Sequence, residues 1–207
     1  MKINLRKIIE TDVFDHLILE EALSSYGSVR GKINRLLASG EIIRVKKGIY
    51  VFPEYLRRNV LDVCVLANII YGPSYVSSDF ALARYGLIPE TVKVITSVTT
   101  GRSRTFSTPL GRFDYRLRLS ADYCVGFTSA FSGPYGYLIA TPEKAIYDKA
   151  ALDSRFDGTG IEEYLEDDLR IDRSDLENLN VHQLEELHAA ARGRMKKLTS
   201  FLLEINR

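Results

Sequence analysis

Residues 24–51 read SSYGSVRGKINRLLASGEIIRVKKGIYV. Val29, Ile33, Leu36 and Leu37 recur at helical spacing, so Arg30, Gly31, Lys32, Asn34 and Arg35 are left largely to the other faces of a helix running from Ser28 to Ala38. Gly40 ends that helix. Ile42, Ile43 and Val45 then suit one strand and Ile49, Tyr50 and Val51 a second, with Lys46, Lys47 and Gly48 at the turn. A helix with its side chains is about 10–12 Å wide and fits the roughly 12 Å major groove of DNA, where Arg and Asn read guanine and adenine edges. The pattern therefore predicts a recognition helix followed by a basic wing.

Outward from this stretch, the order of elements fits a winged helix-turn-helix. Leu5, Ile8 and Ile9 predict a first short helix, and Leu17, Leu19, Ala22 and Leu23 predict a second with Asp15 as its N-cap. Pro53 closes the second wing strand, and the polar segment PEYLRRN at 53–59 marks a boundary whose Arg57 and Arg58 read mainly as a solvated linker. The expected organisation is α+β: a winged helix-turn-helix at 1–56, then a mixed α/β domain at 57–207 with a small sheet and a helical C-terminus.

The second part opens with an apolar helix expected from Val60 to Tyr71 and stopped by Gly72 and Pro73. A short strand, a Ser N-cap and a helix ending at Gly86 follow. Strands are predicted at 92–100, 112–119 and 135–140, with weaker strand character near Val125 to Phe131. Thr141 as N-cap with Pro142 behind it starts a helix to Leu152, a capping box is read at Ser174 and Glu177, and one long helix is expected from Val181 to Asn206.

The net charge of the 207 residues is only +1, which by itself argues against a nucleic-acid binder. Its distribution argues otherwise. Residues 1–59 hold eleven Lys and Arg against seven Asp and Glu, whereas residues 60–207 hold seventeen against twenty. No apolar run approaches the ~20 residues that span a bilayer, and the charged start MKINLRKIIETD is unlike a signal peptide, so a cytoplasmic protein without a membrane partner is expected. Cys64 and Cys124 both lie in apolar surroundings and read as buried free thiols.

The wing, the run YVSSDFALARYGLIPE and the run YLIATPEKAIYDKAAL together resemble the AbiEi family of antitoxins from abortive-infection, type IV toxin–antitoxin systems. The residues that carry the resemblance are Gly48 and Tyr50; Ser77, Ser78, Ala81, Leu82, Gly86 and Leu87; Thr99 to Arg104; and Ala140, Pro142, Glu143, Ala145 and Asp148. The resemblance implies an N-terminal domain that represses its own operon at inverted repeats in double-stranded DNA. It also implies a C-terminal domain that counteracts a nucleotidyltransferase toxin, without requiring a stable complex.

Candidate DNA contacts are Ser28, Arg30, Gly31, Lys32, Asn34 and Arg35 on the helix and Arg44, Lys46 and Lys47 on the wing. Asn34 and Arg30 are placed on bases, and Lys32, Lys46 and Lys47 on phosphates. A second surface is read from Arg102 and Arg104 in the basic connection 101–112 and from Arg112, Arg116 and Arg118, which alternate along one strand and so share a face. One winged helix reads a short site, so dimerisation or cooperative binding on DNA is expected. His16, His182 and His188 are too dispersed for a metal, Glu143 and Asp148 read as cap and helix residues, and no nucleophile, base and orienting group stand together, so neither cofactor nor enzymatic activity is expected. Two alternatives stay open: a stand-alone regulator whose second domain senses a ligand at 101–112, and a DNA-targeted nuclease, for which Asp114 offers a thin basis.

Overall fold

The computed structural model describes residues 4–207 as a mixed α+β fold with two sheets. Asn4 caps helix α1 (Leu5–Ile8) by accepting from the Arg6 N–H, and Asp15 caps α2 (His16–Ala22) by accepting from Ile18 N–H at 2.9 Å. Between them lies strand β1 (Val13–Asp15), which periodicity did not predict. Helix α3 (Val29–Ala38) buries Ile33 and Leu36, and Gly40 ends it with a left-handed φ of +70°. Strands β2 (Ile43–Lys46) and β3 (Ile49–Val51) follow, joined at Gly48, and β1 pairs antiparallel with the free side of β3.

The three-stranded sheet has two different faces. Tyr50 and Phe52 pack with Phe14, Leu19 and Leu36 in a small core under the helices. Val45 and Val51 point the other way and belong to the large core of the rest of the chain, with Val13, Ile43 and Ile49 packed against it. The boundary segment is tied down by Asp12, whose carboxylate accepts from the Arg58 N–H at 2.9 Å and the Asn59 N–H at 3.1 Å. Arg57 donates to the Phe52 carbonyl and Arg58 to that of Arg6, so the two arginines read as solvated linker are held by main chain.

Helix α4 spans Val63–Ile70, shorter at both ends than expected: Asp62 caps its start by accepting from Cys64 N–H, and the chain is extended at Tyr71. After β4 (Ser74–Val76) comes α5 (Ser78–Tyr85), closed by Gly86 at φ +74°. Then β5 (Val94–Thr99), β6 (Arg104–Thr108), β7 (Gly111–Leu117), β8 (Phe127–Ser132) and β9 (Tyr135–Ala140) complete a six-stranded sheet of order β6-β7-β5-β4-β9-β8. The segment 101–112, read as a connection, thus contains an edge strand that pairs with β7 as a hairpin turning at Pro109 and Leu110. Tyr115 donates to the Ala67 carbonyl of α4, while Tyr75 donates to Asp148 of α6 (Pro142–Leu152), so helices cover both faces.

The C-terminal third departs furthest from expectation. The helix expected over Val181–Asn206 is two helices, α9 (Val181–Ala190) and α10 (Arg194–Ile205), broken where Gly193 takes φ +55°. Before them, α7 (Ile161–Glu163) runs into a π-helical turn at Tyr164–Asp168, and α8 (Arg173–Leu176) precedes α9. The capping box does not form: Ser174 lies inside α8, and Glu177 pairs with Arg173 at 2.7 Å. Cys64 is buried, and burial with Asp62 beside it pushes its thiol up to about 12, whereas Cys124 is exposed. Among the described residues, no helix is long and apolar enough to cross a membrane.

Candidate nucleic-acid interface

Ser28 fixes the start of α3, its hydroxyl accepting from the Gly31 N–H at 3.2 Å. A Cβ on Gly31 would fall 2.9 Å from that hydroxyl, so a side chain here would press on the cap. With Ile33 and Leu36 buried, Arg30, Asn34 and Arg35 are exposed. Lys32 is half-buried, its ammonium 5.1 Å from the centre of the Tyr26 ring.

The hairpin brings its cations to the same place. Arg44 lies with its guanidinium 5.8 Å from the Tyr50 ring centre, and Lys47 is exposed at the tip. Together Arg30, Asn34, Arg44, Lys47 and Gly48 line a cleft of about 460 Å³, closed at one side by His16 and Glu20, which face each other at 3.3 Å. Glu20 is the lone carboxylate of that lining.

Lys46 is elsewhere. The pairing of β2 with β3 shifts between Arg44 and Lys46, and this irregularity turns Lys46 away from the cleft. Its ammonium donates to the Ile70 carbonyl at 2.7 Å, at the C-terminal end of α4, and lies 5.3 Å from the Phe106 ring centre. The phosphate contact expected of Lys46 is therefore replaced by an anchor to the second unit.

The second surface divides. Arg102 and Arg104 are exposed, Arg104 lying 5.6 Å from the Tyr71 ring centre. Arg112 is exposed at the opposite end of the β6–β7 ribbon. The face it shares with Arg116 also carries Asp114, which holds Arg116 at 2.7 Å. Arg118 lies past the end of β7 and is drawn inward, donating to Asp122 at 2.6 and 3.1 Å. The uniform arginine face expected from alternation does not form, because Asp114 interrupts it and the chain turns after Leu117.

Periodicity gave no sign of the charge cluster beneath. Asp148, read as a helix residue, is sealed from solvent and accepts from Tyr75 Oη at 2.9 Å and Ser77 Oγ at 2.8 Å, with Lys144 Nζ at 3.3 Å. Ser77 spends its hydroxyl here and leaves α5 without the side-chain cap expected of it. Lys144 also donates to the Asp122 carbonyl, and Tyr147 and Ser120 donate to the Asp122 carboxylate. Burial lowers the Lys144 pKa against the pull of the two aspartates; burial raises that of Asp122, but its hydrogen bonds hold the net value below the ordinary carboxylate range. The one sequence signal for this cluster is an i, i+4 Lys–Asp pair, Lys144 and Asp148, in a helix that also carries Glu143 and Lys149.

A second crevice, of about 530 Å³, is lined by Ser78, Asp79, Asp114, Arg116 and Lys149 among others. Lys149 faces Asp79 at 2.6 Å and Arg116 faces Asp114, so its cations are already neutralised. The α3–hairpin cleft is the better match to a polyanion. No protein-family model and no curated protein matches the chain.

Proposed function

We propose that the chain is a sequence-specific DNA-binding repressor built on an N-terminal winged helix, acting in the cytoplasm. The observation that carries this reading is the convergence of Arg30 and Asn34 on α3 with Arg44 and Lys47 on the hairpin around one exposed cleft. In the proposed mode α3 enters the major groove, where Arg30 and Asn34 read base edges, while Lys47, Arg44 and Arg35 hold the flanking phosphates. Two copies on an inverted repeat would lengthen the site that is read.

The antitoxin half of the proposal rests on the resemblance to the AbiEi family, carried by 24–52 and 74–152. On that reading the second unit counteracts a nucleotidyltransferase toxin. Growth rescue when such a toxin, encoded beside this chain, is co-expressed with it tests that half; no rescue would remove it and leave DNA binding standing.

The groove assignment has its own test. Each bidentate base contact is worth about 1–3 kcal/mol, so Arg30→Ala with Asn34→Ala is expected to weaken binding to the protein's own upstream region at least ~30-fold. Affinity for a scrambled duplex should change far less. An unchanged preference for the upstream duplex would sink the placement of α3.

A further inference from the structure

The six-stranded sheet ends on two unlike edges. At one, β6 begins with Arg104, and β2 packs beside it. Charge and cover of this kind keep an edge strand from pairing with another chain. At the other, β8 has neither. Residues 123–142 contain no Lys, Arg, Asp or Glu, and among the described residues β9 alone packs along the length of β8. The β8–β9 register runs unbroken from Phe127 to Ser132, with no bulge to twist the edge away. Thr128, Ser129 and Phe131 are exposed, Phe131 at 73%.

The hydrogen-bond alternation of an antiparallel pair fixes which main-chain groups face outward. The Thr141 N–H donates to the Gly126 carbonyl, whereas the Leu138 N–H, opposite Ser129, turns away from β8 and donates to Asn68 Oδ1. Thr128, Ala130 and Ser132 therefore bond to β9, and Phe127, Ser129 and Phe131 present their N–H and C=O groups to the free edge. The side chains of those three share one face. Phe127 is anchored there, stacked on Tyr75 with ring centres 4.9 Å apart. Phe131 stands opposite Gly136 of β9 and so lacks a cross-strand side chain to cover it.

We infer that this edge pairs with a second copy of the chain, the two β8 strands running antiparallel about a two-fold axis at Ser129. In that register Ser129 faces its own copy, and Phe127 of each chain faces Phe131 of the other. Each facing pair exchanges two main-chain hydrogen bonds, and Phe131 gains an aromatic cross-strand neighbour. A two-fold contact sets the same patch against itself, so a charged edge would repel its copy, and the uncharged run 123–142 does not. The same run gives a charged partner nothing to hold. Pairing joins the two six-stranded sheets into one. It requires no DNA and stands apart from the reading of the α3–hairpin cleft, although a two-fold is the symmetry that an inverted repeat matches.

The test is the oligomeric state of the full chain without DNA, by sedimentation over a range of concentrations, together with cysteine cross-linking. Wild type is expected to pass from monomer to dimer as concentration rises. Phe131→Lys, at an exposed position, should stay monomeric, and Phe131→Tyr should dimerise as wild type does. Ser129→Cys in a Cys124→Ser background should form a disulfide-linked dimer under mild oxidation, since facing Cα atoms about 5.5 Å apart are within disulfide reach. Ser107→Cys in the same background, exposed on the β6 edge, should not. A wild-type chain that stays monomeric, with no more cross-linking at 129 than at 107, overturns self-pairing and leaves the edge to a strand of another protein. A dimer that survives Phe131→Lys, or that cross-links equally at both edges, overturns the β8 contact. With no DNA present, either failure leaves the cleft reading untouched, and failure of the cleft reading leaves the dimer.

Discussion

Asp12 ties the start of the chain to residues 58, 59 and 135. Its carboxylate is fully buried and takes a 2.6 Å bond from Arg6, two main-chain N–H groups and the Asn59 amide, while its own N–H donates to Tyr135 Oη. Burial alone would raise its pKa, but the Arg58 N–H, Asn59 and the Arg6 charge together bring it below the ordinary carboxylate value. A carboxyl held low in the folded state binds protons less readily than when unfolded. Its stabilisation is thus complete above the ordinary pKa of about 3.9 and is lost as pH falls through the lower folded value. Asp12→Ala leaves Arg6 and two N–H groups uncompensated and is expected to cost about 3–5 kcal/mol at pH 7. Asp12→Asn should also flatten the acid limb of the stability curve below about pH 4, read as the thermal midpoint against pH. An acid limb as steep as wild type would show that the charge on Asp12 is not what holds the junction. None of this was legible beforehand: Asp12 lies between two short helical patterns, and its partners come from residues 58, 59 and 135.

At the scale of elements, local chemistry was readable and long-range pairing was not. Helix α3 follows from an apolar spacing that lies within a dozen residues, and the hairpin turn at Gly48 and the Gly86 stop are as local; the Ser28 cap came only with the structure. Strand β1 has three residues and β6 reads RTFST, too little for a period; β1 exists because the distant β3 offers its edge, and β6 is the first arm of a hairpin with β7. The break at Gly193 is hidden because Leu184 and Leu187 before it and Met195, Leu198 and Leu202 after it all enter the same core. The pairing shift after Arg44 had no sequence mark either, and it separates two adjacent lysines by role. Lys47→Ala is expected to lower the salt slope of DNA binding by about one, and Lys46→Ala to leave the slope alone while lowering the melting temperature. Equal slope losses from both would place Lys46 back on the duplex.

Across the whole molecule the readable boundary near 56 and the packing tell different stories. The polar run after Pro53 looks like a linker, yet the hairpin gives Val45 and Val51 to the larger core, and Tyr135 reaches back to Asp12. Residues 1–56 expressed alone would bare Val13, Ile43, Val45, Ile49 and Val51 on one sheet face. That fragment is expected to melt without a sharp transition and to bind a hydrophobic dye; a melt as sharp and as high as that of the full chain would make the interface dispensable. The candidate interface was legible where it depends on one helix and one turn, and illegible where Asp114, the turn after Leu117 and the buried aspartates redirect arginines drawn on a strand diagram.

The interior cluster has a separate consequence. Arg118, Lys144, Asp122 and Asp148 are two positive and two negative charges, so they cancel within the body and add almost nothing to the far field felt by an approaching polyanion. Mobile ions screen surface charges over roughly 8–10 Å at ordinary ionic strength but do not enter a sealed site. Raising ionic strength should therefore strip the protein from a duplex without loosening its scaffold, and encounter and folding respond to electrolyte as separate properties.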